Sequence, residues 1–462
     1  MSSIQTHTEL ASPMPLLADY IANAIKQDLP QAVGEKVKFH LLDTLAAMVS
    51  GTRLPAGNFA ISFLHAQGVN SAQATVIGTP YRSTAINAAL ANAMFAHADE
   101  TDDSHAKSLT HPGCAIVAST LAAAELFARS GTEVMRAMAL GYDVCCRLTQ
   151  SLNPYEFRAD GHSSHTFGPN FGAAAAAGTL AGINAMQARY LMSYAAQQAS
   201  GISCWMRDKD HIEKAFDFGG MAARNGMTAA HMVSLGFTGV EDVFSGERCF
   251  YDAYGRTPDR MALSEELGQR YEVLNTSIKR WSVGSPIQAP LDSMDALLKG
   301  HTIDLAAIES INVKIPHESL TIVNNREMPE ICLQHILALM LIDKKMSFVA
   351  AHDRGRMLDP KVIEVRQLIE LEGNDELSKH MPTRQGIVSI RLKDASVLEH
   401  YTQAVKGTPP NPMNRLELQD KCIDLMAPII GQTQSRHLCN MIWNLEELAH
   451  IAPLMELLSL PA

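Results

Sequence analysis

The sequence has no CxxC pair, no apolar run of membrane-spanning length, no basic surplus and few aromatics, and each shortage removes a class of function. Its eight cysteines, at 114, 145, 146, 204, 249, 332, 422 and 439, are scattered, which argues against a disulfide framework and a cysteine zinc cage. They read as small buried apolar residues. The most apolar stretch, Cys114 to Ala128, is broken by Ser119, Thr120 and Glu125, so no segment approaches the roughly 18 apolar residues a membrane span needs. The opening "MSSIQTHTELASP" has no basic start before an apolar core; no export signal is read, and a soluble cytoplasmic protein without membrane partners is expected. With 38 Lys and Arg against 49 Asp and Glu, the formal net charge is -11. No basic run interleaved with aromatics reverses it locally, which argues against nucleic acid as a partner. A small anionic ligand would need positive charge gathered in one pocket against this average field.

What is present is a long, ordinary globular chain of 462 residues, 47% hydrophobic, enough for two or three domains and a large core. From about Pro15 to Val240 the apolar residues recur at three and four with abundant alanine, as in "INAALANAMFAHA" and "GAAAAAGTLAGINAMQARYLMSYAAQQA". This is the helix period, with small faces that let helices approach closely. Past "RTPDRMALSEELG" the stretches "SIKRWSVGSPIQAP", "IESINVKIPH" and "QGIVSIRLKDASVLEH" alternate β-branched residues and read as strands. Between them "QAPLDSMDALLKG", "PEICLQHILALMLID" and "PKVIEVRQLIEL" read as helices. The tail after "GTPPNPMN" is helical again and is expected to return to the first domain. The expected organisation is mainly α: residues 1–267 helical, 268–404 an α+β unit, 405–462 helices rejoining the first.

Chemistry concentrates in "HADETDDSH", His97 to His105, followed by "THP". It matches no HxxxH, HExxH, EF-hand or two-metal spacing, although a metal-dependent hydrolase using Asp99, Asp102 and His105 is the competing reading. The bland alternative is a solvated helix end, but acids there oppose the helix dipole. Were the segment to stay helical, Glu100, Ser104 and His111 would fall within about 40° of one another, showing a carboxylate, a hydroxyl and an imidazole on one face for proton transfer. Second is "DGHSSHTFGPNFGAAAAAG", where His162 and His165 precede a helix starting near Asn170, whose free N–H groups could hold an anion. Third is "RDKDHIEKAFDFGGMAARNG" with Lys214, whose plain reading is a helix cap. Fourth is "SIKRWS" with Lys279 and Arg280, which on an edge strand would ordinarily be solvated.

Taken together, "HADETDDSHAKSLTHP", "FGAAAAAGTLAGI", "EKAFDFGGMAARNG", "SIKRW" and "NPMNRLEL" make nearly the whole chain resemble the MmgE/PrpD family, which includes 2-methylcitrate dehydratase, cis-aconitate decarboxylase and iminodisuccinate epimerase. The resemblance implies a large all-helical domain built from both chain ends, a smaller α+β lid, a site between them and a homodimer. It implies a cofactor-independent lyase acting on a small di- or tricarboxylate, dehydratase-like, with epimerase/isomerase and decarboxylase alternatives on the same scaffold. Carried over by position, His111, Lys214 and Glu100 are catalytic, with the loop histidine falling on His162 or His165; Ser104, Lys279 and His335 bind substrate, with Arg280 expected to add positive charge for it beside Lys279, and no metal is implied. Glu100 stands where the decarboxylases carry aspartate, Thr101 where an aromatic is common, and His335 where the family carries a tyrosine.

Overall fold

A computed structural model describes residues 12–68 and 72–460; residues 1–11, most of the stretch read for an export signal, lie outside them. Two large hydrophobic cores form among the described residues, beside a small cluster of Ala56, Ala98 and Ala215. One draws on residues from Met14 to Ile278 and again from Met413 to Leu458, so both chain ends build the helical body. The other is confined to Trp281 through Ile390.

The helical body is assembled by small residues. Helix Gly131–Ser151 crosses helix Ser164–Leu180 where a Cβ on Gly172 would stand 2.5 Å from the Gly141 carbonyl oxygen, so only glycine permits that separation. Helix Gln31–Gly51 packs on both Ala85–Ala96 and Arg415–Ile430, which ties the tail to the first domain. No helix among the described residues is long and apolar enough to cross a membrane.

The second unit carries a four-stranded sheet in the order Ile369–Asn374, Ile308–Pro316, Gly386–Leu392, Val397–Thr402. The first pair is parallel, with Ile311 opposite Ile369, and the others antiparallel, with Val313 opposite Val388 and Val388 opposite His400. Ile311, Val313, Ile315, Val388 and Ile390 are buried and alternate with partly exposed residues. One face therefore meets the helices Gln288–Gly300 and Leu333–Asp343 while the other is wet.

Several local expectations differ. Helix Ala85–Ala96 stops at His97 and the next begins at Pro112, so residues 97–111 are a folded loop, and no common helix face carries Glu100, Ser104 and His111. "SIKRWSVG" is irregular rather than an edge strand, because its backbone is spent on the domain junction. Helix Pro360–Gln367 is followed at once by strand Ile369–Asn374; the apolar spacing of "VIEVRQLIEL" suits both periods and parallel pairing decides it. Helix Ser164–Leu180 starts six residues before Asn170. All eight cysteines are free.

A polar knot holds the linker to the helical body. Asp143 takes hydrogen bonds from the Tyr20 hydroxyl at 2.7 Å and the Glu272 N–H at 2.6 Å, while the fully buried Arg147 donates to the carbonyls of Glu265, Glu266 and Arg270. Burial pushes the Asp143 carboxyl up to about 7, against Arg147 and the two donors. The folded protein then binds a proton that the unfolded chain, with an ordinary aspartate, releases near pH 4. That contribution is full below the unfolded value and is lost as pH rises through about 7. Comparing wild type with Asp143→Asn by denaturant unfolding, the difference should shift in favour of the variant by roughly 1–3 kcal/mol between pH 5 and pH 8. A pH-independent difference would contradict the assignment.

Candidate active site

The acids of residues 97–111 are not solvated: Asp99, Glu100, Asp102 and Asp103 are all buried, and a buried carboxylate must be paired or protonated. Asp103 works on the backbone side. It accepts from the Gly113 N–H at 2.9 Å, at the start of helix Pro112–Leu126, and from Tyr142 and His40 at 2.6 and 2.7 Å. A carboxylate at a helix N-terminus is favourable and fixes the loop's exit. Asp99 closes a local turn onto the Thr101 N–H at 2.7 Å, and burial pushes its carboxyl up to about 6.

Asp102 and Glu100 face the other way. One oxygen of Asp102 lies 2.7 Å from His97 Nδ1 and 3.0 Å from His111 Nδ1, and the other lies 3.3 Å from Lys279 Nζ. Glu100 pairs with Lys214, with Lys279 at 3.7 Å and with His211 at 3.8 Å. Lys279 reaches them because Ser104 and Ser277 exchange backbone hydrogen bonds of 2.9 and 2.8 Å, pinning the junction segment against the loop. Burial opposes both carboxylates, but the histidines and Lys279 outweigh it at Asp102, and Lys214 and Lys279 outweigh it at Glu100, so both stay ionised. Burial likewise opposes the charge on Lys279, and Asp102 and Glu100 reverse the balance.

The third contributor is an irregular helix. Between Ile212–Ala215 and Met221–Ser234 a π turn runs over Phe216–Gly220. A Cβ on Gly219 would sit 2.4 Å from the Ala93 carbonyl oxygen, so the turn is pressed against helix Ala85–Ala96 and drives Phe218 inward. Phe218 is stacked by His165 at 3.8 Å and 11° and by His97 at 4.2 Å and 20°; two parallel rings that close must occupy its opposite faces. Lys214 Nζ lies 5.2 Å from its centroid, a cation–π distance. His111 is 5.2 Å ring to ring from His165. With His111 Nδ1 committed to Asp102, Nε2 is its free nitrogen.

The neutral histidines follow from this packing. Burial, only partly offset by Asp102, pushes His97 down to about 4. Burial and the neighbouring cations hold His165 and His211 well below the usual imidazole range.

Glu100, His111, Lys214, Lys279 and His165 thus come together, and the Ser104 backbone borders them. His162 does not join: its ring lies on Phe157 at 4.6 Å and meets Tyr254 edge-on, so His165 is the loop histidine beside His111. Arg280 turns away to Asp292 and Asp295 and stacks on Trp281 at 4.1 Å. His335 is fully buried in the sheet unit, pushed down to about 4 by burial, Arg366 and Arg356, with neither ring nitrogen bonded. Sequence reasoning passed over His97, His211 and Phe218, which lie inside quoted motifs with no spacing to mark them, while Asp102, named there as a possible metal ligand, instead bridges two histidines and a lysine.

The competing metal set does not assemble, since His105 faces Glu272 at 3.2 Å and Asp99 faces its own turn. Among the described residues His97, Asp102 and Cys114 do approach within 4.8 Å. However, the Cys114 thiol donates to the His111 and Phe218 carbonyls, and Asp102 already serves two histidines and a lysine. The donors fit a proton-transfer site better than a cation.

This chain, a helical body with a buried cluster of acids, histidines and lysines at the edge of an α+β unit, has recognisable relatives. The MmgE/PrpD N-terminal domain matches residues 16–261 and the MmgE/PrpD C-terminal domain residues 281–447; the chain belongs to the MmgE/PrpD family. Cis-aconitate decarboxylase of Aspergillus terreus is 22% identical, covering 96% of this chain and 95% of its own. The cis-aconitate decarboxylase-like protein oryM of Aspergillus oryzae is also 22% identical, covering 96% of each.

The electrostatics give a direct check. In a ring-nitrogen NMR titration, with signals assigned through His97→Gln and His165→Gln, both rings should still be neutral at pH 6. Protonation of either with a midpoint near 6.5 would contradict the packing account.

Proposed function

We propose that this protein is a cofactor-independent lyase that removes a proton from carbon beside a carboxylate of a small di- or tricarboxylate and expels a leaving group from the neighbouring carbon, as a 2-methylcitrate-type dehydratase does. The observation that carries the reading is the His111–Asp102 pair beside Lys214 and Lys279. His111 Nε2 takes the proton as the C–H bond breaks. The carboxylate-stabilised carbanion that forms gains negative charge on its oxygens, and the two lysines offset it in a site shielded from water. The C–O bond then breaks and the His111 imidazolium gives its proton to the departing hydroxyl, so an alkene and water leave and the base is restored. Asp102 keeps Nδ1 protonated and steadies the imidazolium, a positioning role. Neutral His165, held on Phe218, supplies a hydrogen-bond donor without adding charge.

Decarboxylation is the second reading, favoured by the full-length match to cis-aconitate decarboxylase. There a carbanion forms as the C–C bond to the departing carbon dioxide breaks, and His111, entering this cycle as the imidazolium, gives it the proton. Reprotonation on the other face would make an epimerase. The homodimer and cytoplasmic setting belong to this same reading.

The test is incubation of citrate-like, aconitate-like and aspartate-like acids in deuterated water, followed by NMR. Wild type should convert at least one with loss of water, and both His111→Gln and Lys214→Met should lose roughly 10²- to 10⁴-fold in kcat while melting within a few degrees of wild type. Full activity in both variants, or no conversion and no label by wild type, would sink the proposal.

A further inference from the structure

Lys214 offsets charge on the developing carbanion, and a cation does so strongly only where water is kept from it. Glu100 holds the ammonium on one side and the Phe218 ring lies 5.2 Å away on another, yet 18% of the lysine side chain is still exposed. One large aromatic residue beside it has no part in the proton transfer as described: Trp205.

Trp205 lies on the 3-10 turn Ser203–Arg207. Ile202 and Met206 on either side of it are 61% and 60% exposed, whereas the Trp205 ring turns in to the cluster. Its plane is perpendicular to those of His165 and Phe218, at 5.3 Å and 81° and at 4.7 Å and 88°. His165 and His97 occupy both faces of Phe218, so Phe218 points its edge into a face of the indole, a favourable edge-to-face arrangement. Lys214 Nζ is 5.8 Å from the indole centroid and 5.2 Å from that of Phe218. With Phe218 itself 4.7 Å from the indole, the three make a nearly equilateral triangle, so the ammonium and Phe218 stand on the same side of Trp205. One indole face covers both.

The indole is anchored as well as packed. Its Nε1 donates to the Ser163 hydroxyl oxygen at 3.2 Å, and that hydroxyl donates to Asp217 at 2.5 Å. Asp217 immediately precedes Phe218 on the π turn, so one turn carries the partition and, through Ser163, holds the ring above it. Ser203 ties the turn to the segment before His165, donating from its N–H to the Gly161 carbonyl and from its hydroxyl to the His162 carbonyl, both at 2.8 Å.

We infer that Trp205 is a positioning residue that roofs the catalytic cluster: it holds Lys214 and His165 in place and keeps water from the proton that His111 carries. The inference rests on the lyase reading above. His111 lies 5.2 Å ring to ring from both His165 and Phe218, and its side chain is 13% exposed, so its protonated ring is sheltered only while its neighbours are covered. Under the roof, the proton taken from carbon stays on Nε2 until the departing hydroxyl takes it. Without the roof, in deuterated water, a solvent deuteron replaces that proton on Nε2 and passes to carbon when the carbanion reverts, which labels unreacted acid.

The experiment uses the full chain in deuterated water and the acid that wild type converts. Wild type is compared with Trp205→Ala, Trp205→Phe and Ser163→Ala, each checked for folding by thermal melting. NMR gives product formed and deuterium in the recovered acid, and initial rates give kcat and KM. Trp205→Ala should lose about 3- to 30-fold in kcat, the strength of a cation–π contact, with KM changed less. Its ratio of label in recovered acid to product should exceed that of wild type. Trp205→Phe keeps an aromatic face and should restore most of both. Ser163→Ala frees the indole from its anchor and should move both readouts the same way by less; it decides the matter if Trp205→Ala does not fold. Wild-type kcat and label ratio in the folded alanine variants would overturn the roof. So would a loss in kcat at an unchanged label ratio, or a rise in KM alone, which would make Trp205 a binding surface only. A wild type that converts no acid and takes up no label would instead overturn the lyase reading, and the roof with it.

Discussion

The structure depends on one carboxylate having three partners. Asp102 is fully buried, and a charge in that position persists only if its surroundings repay the lost hydration. The repayment comes from His97 on the loop's first residue, His111 on its last, and Lys279 from the domain junction. These three contacts close the fifteen-residue loop on itself and tie it to the chain entering the second domain. Removing any partner would leave a buried charge uncompensated, so the geometry needed for proton transfer is also the geometry that lets the loop fold.

Around that anchor the body supplies shape rather than chemistry. Asp103 seats helix Pro112–Leu126, glycines let helices touch backbone to backbone, and the π turn presents Phe218 as an apolar partition between His97 and His165. An aromatic wall costs no charge and keeps both rings neutral, so the cluster holds a balanced set of ionised groups beside neutral imidazoles. A preorganised site of this kind spends little on reorganisation when charge develops in a substrate.

The division into a helical body and an α+β unit was legible because helix and strand periods differ and the texture changes past residue 268, although the helical core runs on to Ile278. The sheet strands at Ile308 and Gly386 could be read for the same reason, whereas "VIEVRQLIEL" and "SIKRWSVG" could not, since parallel pairing and junction contacts settle them from far along the chain. The family resemblance singled out Glu100, His111, Lys214 and Lys279, and the fold brings these four side chains near one another. Their means of convergence was not legible. A helix face predicts neighbours by spacing, but these meet through a loop whose course is set by buried ion pairs, and His165 was separable from His162 only through stacking on Phe218. Phe218 itself reads in sequence as one more core aromatic.

If Asp102 makes His111 a competent base, removing its charge must slow proton abstraction itself. The most direct measurement is the exchange of the carbon-bound proton of an accepted polycarboxylate in deuterated water by Asp102→Asn protein that remains folded and still binds the acid. Exchange should be slower than wild type by about 100-fold or more; exchange at the wild-type rate would show that His111 needs no help from Asp102.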